Sequence, residues 1–96
     1  MPFRIKYHPN VKRDDLPRIA PGDRETIKRA IEERLMTHPE VYGRPLRHTL
    51  RGYWKLRVGD YRVVFKIKGV EVHILAIVHR KETYRVATRR SRGQPG

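Results

Sequence analysis

The stretch Tyr53-Trp-Lys-Leu-Arg-Val-Gly-Asp-Tyr-Arg-Val-Val-Phe-Lys-Ile-Lys-Gly-Val-Glu-Val-His-Ile-Leu-Ala-Ile-Val78 decides the fold. Residues 53–58 alternate, with Tyr53, Lys55 and Arg57 on one side and Trp54, Leu56 and Val58 on the other. A period of two belongs to a strand with one wet and one buried face. Gly59-Asp60 is a two-residue turn signal, and glycine in first place favours type II′. Alternation resumes over 61–67, and Lys68-Gly69 reads as a second short turn. Residues 70–78 are a β-branched run with Val70, Val72, Ile74, Ala76 and Val78 at period two. The expectation is a three-strand antiparallel meander.

Two-residue turns fix the register. Across Gly59-Asp60, Val58 faces Tyr61, Arg57 faces Arg62, Leu56 faces Val63, Lys55 faces Val64 and Trp54 faces Phe65. Opposed residues share a face, so Trp54, Leu56, Val58, Tyr61, Val63 and Phe65 form an apolar face, and Lys55, Arg57 and Arg62 a basic one. Across Lys68-Gly69, Ile67 faces Val70. Val72 and Ile74 then join the apolar face, while Leu75, Ile77 and His79 join the basic one. Leu75 and Ile77 would be exposed there unless a helix of this chain or of a partner covers them.

Outward from the meander, residues 3–8 alternate as a strand that Pro9 stops, and 10–19 read as a short helix or turn. Pro21-Gly22-Asp23 opens a helix that Asp23 or Gly22 can cap and His38-Pro39 ends. Its apolar stripe is Ile27, Ala30, Ile31 and Leu35, and the apolar sheet face should take it. Residues 39–52 read as a loop, with Leu46 and Leu50 tucked under the sheet. Residues 81–90 suit a helix with Tyr84 and Ala87 on one side. The resulting class is α+β: an N-terminal strand and helices packed on a twisted antiparallel sheet of about four strands, with a short C-terminal helix. One domain is expected over 1–88, followed by a basic, disordered tail over 89–96.

Composition narrows the function. The 96 residues hold no cysteine, which excludes a disulfide framework and a thiolate zinc site. The longest apolar run, Ile74–Val78, is five residues, against about 20 for a membrane helix. No segment resembles a signal peptide, so a cytoplasmic protein with no membrane partner is expected. With 23 Lys+Arg against 10 Asp+Glu, the formal charge is +13. Nucleic acid is the default partner for such a chain; a merely solubilising surface is the alternative. Arg57 opposite Arg62 is costly in an unpaired sheet. Cations on one sheet face, near the strand end that holds His79 and Arg80, suit a phosphate site; a solvated polar face is the plainer reading.

Cleaving RNA without a metal requires a deprotonated 2′-hydroxyl, a stabilised phosphorane and a protonated 5′-oxygen. Lys, Arg, His and Tyr can fill these roles. His79 suits proton transfer near neutrality, or simply ends a strand. Tyr84 suits stacking on a base, or packing under the C-terminal helix. No phosphate loop is present, and His8, His38, His48 and His73 lack metal-ligand spacing. Ser91 is the only serine, which excludes a serine triad, and Glu32, Glu33 and Glu40 give no convincing carboxylate pair.

The run from Leu50 to Phe65, followed by Ile77-Val-His-Arg-Lys-Glu-Thr-Tyr84, resembles the RelE/ParE toxin superfamily over nearly the whole chain to about residue 88. The Lys-Leu-Arg-x-Gly-x-Tyr-Arg core, with a later His-Arg and Tyr, is most similar to its RelE branch. The resemblance implies the toxin of a type II toxin–antitoxin pair. It further implies a metal-independent, cofactor-free mRNA interferase that cleaves mRNA on the ribosome through the 2′-hydroxyl and is silenced by a cognate antitoxin, expected to be acidic and to cover the basic face with Leu75 and Ile77. In that reading Lys55 is a base or charge stabiliser, Arg62 holds the transition-state phosphate, Arg80 serves the leaving oxygen, Tyr84 stacks on or orients the nucleotide, and His79 stands near the site. Tyr53 replaces a lysine that some members carry, which leaves the general base open. Arg57, Lys66 and Arg85 are expected to bind RNA phosphate, with rRNA as a further contact. The alternatives are a ParE-like inhibitor of DNA gyrase and a non-enzymatic ribosome- or RNA-binding module.

Overall fold

Two turns, each with glycine in its first central position, set the sheet. In the computed structural model, which describes residues 2–93, β3 (Trp54–Val58), β4 (Tyr61–Lys68) and β5 (Glu71–His79) form the expected meander. Gly59 and Gly69 take φ of 58° and 61°, where a side chain would be strained. The β3–β4 register is the one read from the sequence, from Trp54 opposite Phe65 to Val58 opposite Tyr61. The second turn lies one residue later than expected: Lys68 pairs with Glu71 and Ile67 with Val72, leaving Gly69 and Val70 as turn residues. Gly69 thereby occupies the same left-handed position as Gly59. Val72 and Ile74 keep their expected face.

A bulge changes the other assignments. Phe65 pairs with Ile74 but Val64 with Ala76, so Leu75 is an extra residue on β5. One inserted residue reverses the alternation beyond it. Ile77 therefore pairs with Val63 and lies in the core with Phe65, and His79 pairs with Tyr61. The expectation that Ile77 and His79 share the basic face is corrected. Leu75 and Ile77 are both buried by this chain's own elements, so neither is left for a partner to cover.

The sheet order is β1-β5-β4-β3-β2, where β1 is Arg4–Tyr7 and β2 is Arg44–Pro45. The class is α+β as expected, with five strands rather than about four, one of them only two residues long. The sheet is mixed, because β1 pairs parallel to β5 while the helical segments carry the chain away from that edge.

The helix α1 (Pro21–Ala30) starts with proline at its first position, where the missing N–H costs nothing, and Ala20 rather than Gly22 or Asp23 precedes it. The helix continues as a wider π turn over Ile31–Leu35. Ile27, Ala30, Ile31 and Leu35 are buried on the face of Leu56, Val63 and Phe65, as the stripe predicts. The expected 39–52 loop contains α2 (Pro39–Tyr42), β2 and a 3₁₀ turn over His48–Leu50; Leu46 and Leu50 are buried.

The opposite sheet face is covered by α3 (Thr83–Gly93), whose Val86 and Ala87 pack with Leu46, Leu50, Val64, Leu75 and Val78. The disordered tail is thus corrected over 89–93; residues 94–96 lie outside the described residues. Tyr84 and Ala87 stand three residues apart on α3 and so on one side of it, with Ala87 buried against the sheet and Tyr84, in the first turn, 54% exposed. What holds α3 down is Arg90. Beyond the end of β1, the Ile77 N–H donates to Asp15 Oδ2 at 2.9 Å, and Arg90 Nη1 donates to the Leu75 carbonyl at 3.1 Å. Arg90 and Asp15 meet through two 2.7 Å bonds. This buried pair stands in for a neighbouring strand, because the edge groups of β5 need partners once β1 has ended. Among the described residues, no helix is long and apolar enough to cross a membrane.

Candidate functional site

The β3–β4 register puts Lys55, Arg57 and Arg62 on the α3 side of the sheet. Lys55 points to the start of α3, where its Nζ donates to Tyr84 Oη at 3.2 Å and stands 5.4 Å from the ring centre. Both border a cleft of about 760 Å³, lined also by Arg44, Arg47, His48 and Thr88. Arg44 is there because β2 sets it opposite Lys55.

Arg62 and Arg80 gather at the neighbouring Gly59-Asp60 turn. Arg62 Nη1 donates to the Gly59 and Tyr61 carbonyls at 3.0 and 2.8 Å. These bonds fold its guanidinium back on the turn and relieve its opposition to Arg57, which is exposed. The Arg80 N–H donates to the Asp60 carbonyl at 2.8 Å, and its Nε lies 3.8 Å from the Asp60 carboxylate. Lys55 and Arg62 are diagonal same-face neighbours, a relation that sets residues about 7–8 Å apart. Two cation groups thus stand side by side, one against Tyr84 and one at the turn.

The remaining expected site residues are dispersed. His79 lies on the α1 face, its ring edge-on to Tyr61 at 6.0 Å and its Nδ1 accepting from the Lys81 N–H at 3.2 Å. The structure does not bring it to Lys55 and Tyr84, because the Leu75 bulge turned it over. Lys66 sits 5.3 Å from the Tyr53 ring centre. Arg85 is paired with Glu82 at 2.9 Å. Arg44, Arg47 and His48 were missed as site residues. They come from a segment without alternation, and only the pairing of Arg44-Pro45 with β3 brings them to the cleft.

A family model described as the ParE toxin of a type II toxin–antitoxin system, parDE, matches residues 5–84. The chain belongs to this toxin family. Two relatives of this ParE/RelE-type toxin come from Mycobacterium tuberculosis (strain ATCC 25618 / H37Rv). Toxin RelG is 30% identical over 87 residues, 88% of this chain and 99% of its own. Toxin RelE is 41% identical over 54 residues, 54% of this chain and 56% of its own. Among solved structures, the toxin–antitoxin complex RelBE2 of the same species has a chain that superimposes with TM-score 0.77 at 28% identity, over 83% of this chain and 93% of that one. A mutant E. coli toxin RelE in the free state matches with TM-score 0.70 at 21% identity, over 94% and 98% of the two chains, and so shares the fold. The RelE-like toxin architecture expected from the Leu50–Tyr84 motifs is the one observed.

Proposed function

We propose that this toxin is a ribosome-dependent mRNA endoribonuclease cleaving through the 2′-hydroxyl, and that the Lys55–Tyr84 contact at 3.2 Å, beside the Arg62–Arg80 group, is the observation that carries the reading. In the reaction the 2′-oxygen bonds to phosphorus, the bond from phosphorus to the 5′-oxygen breaks, and one proton leaves the 2′-hydroxyl while another reaches the 5′-oxygen. The ammonium of Lys55 stabilises the charge that grows on the phosphorane. Arg62 has donors beyond its two carbonyl bonds and grips the phosphate oxygens. Arg80 serves the leaving oxygen, and the exposed ring of Tyr84 orients the nucleotide. Arg57, Lys66 and Arg85 hold flanking phosphates. The charge of +13 suits ribosomal RNA and, in the silenced state, an acidic cognate antitoxin. A toxin–antitoxin complex is the state in which the similar RelBE2 was solved.

Purified toxin added to ribosomes programmed with mRNA should give discrete cleavage ends by primer extension. Arg62→Ala should lower the rate by about 10²–10³-fold, the usual effect of losing one donor to a transition-state oxyanion. An Arg62→Ala chain that cleaves at the wild-type rate removes this mechanism. The ParE description of the matching family favours one second reading, inhibition of DNA gyrase. Intact mRNA together with impaired gyrase supercoiling would select it.

A further inference from the structure

The cleft beside Tyr84 is well supplied with cations, yet the reaction proposed for it also needs a group that accepts a proton. Arg44, Arg47 and Lys55 carry only donors in their charged forms, and Tyr84 is a phenol. No carboxylate lines the cleft. A neutral imidazole keeps one ring nitrogen unprotonated and able to accept. His48 supplies the one imidazole among the lining residues. Its backbone is distinctive too. Among the described residues, His48 alone takes positive φ without being glycine, at 56°. Such a conformation costs about 1–3 kcal/mol and gathers at functional sites.

We propose that His48 is the general base of the cleft. This inference rests on the ribonuclease reading and deepens it. A ring nitrogen of His48 takes the 2′-hydroxyl proton as the 2′-oxygen bonds to phosphorus and the 5′-oxygen departs with its electron pair. Lys55 then remains an ammonium throughout. The charged or titratable groups facing His48 are Arg44 and Arg47 from its own segment, Lys55 from β3 and Tyr84 from α3.

His48→Gly is the decisive variant, because glycine accepts φ of 56° without strain and so preserves the turn. Single-turnover cleavage of ribosome-bound mRNA should slow by about 10²-fold or more. Added imidazole should restore part of the rate, and the wild type's rate should fall toward acid pH while that of the variant should not. His48→Asn, also tolerant of this backbone, should slow cleavage similarly. The proposal is overturned if His48→Gly keeps the wild-type rate and pH profile, or if it is slow and indifferent to imidazole. In either case an active wild type leaves the ribonuclease reading standing. A wild type that leaves mRNA intact overturns both.

Discussion

At Gly43 the packing leaves no room for one methyl group. A Cβ there would lie 2.5 Å from Phe65 Cζ and 2.9 Å from the Pro39 carbonyl oxygen, and Phe65 is fully buried. Gly43→Ala should therefore destabilise the fold by about 1–3 kcal/mol, the usual range for overpacking, measured by denaturant unfolding. An unchanged midpoint would mean that Phe65 can move aside. Residue-level roles were only partly legible in the sequence. Lys55, Arg57 and Arg62 were placed on one face because strict alternation and a two-residue turn leave no other register. The Lys55–Tyr84 contact lies 29 residues apart in sequence and depends on how α3 docks, which alternation does not encode. His48 was set aside for want of metal-ligand spacing, a test that does not see a cleft wall.

The docking of α3 rests on the buried Asp15–Arg90 pair, whose side chains are 3% and 8% exposed. Removing one partner strands a charge in the interior, so Asp15→Asn or Arg90→Ala should cost about 3–5 kcal/mol. Replacing both by apolar residues should cost less than either single change. Thermal unfolding of the three variants checks this, and strict additivity would count against a coupled pair. The pair explains why the tail was misread: 89–93 look like a solvated basic run, and nothing local says that Arg90 has a carboxylate waiting 75 residues earlier. The bulge was hidden for a related reason, since Ile74–Val78 is apolar throughout and either parity fits it. At the β1–β5 edge, the Glu71 carboxyl is held below the usual carboxylate range, first by the hydrogen bond from His73 and then by the charges of Lys6 and Arg4. Its folded value lies below its unfolded one, so its stabilisation is present above the ordinary range and is lost as pH falls through the folded value. Glu71→Gln should be less stable than wild type at neutral pH, and the difference should shrink as pH falls below the ordinary carboxylate range. A difference independent of pH would remove the charge as its cause.

Over the whole molecule the dominant quantity is the charge of +13. Binding to ribosomal RNA should weaken steeply with salt, log affinity falling linearly with log salt by about 0.7–0.9 per phosphate contact. Filter binding between low and physiological salt measures the slope, and a slope near zero would rule out a phosphate-dominated encounter. The overall class was legible because turns, alternation and the α1 stripe all agree on it. The parallel edge and the fifth strand were not, since β1 pairs far along the chain and β2 has two residues. The clamp between Asp15 and Arg90 also has a consequence for the order of synthesis. Residue 15 is made 75 residues before its partner, so a growing polypeptide cannot fasten the Tyr84 wall of the cleft until translation has passed Arg90.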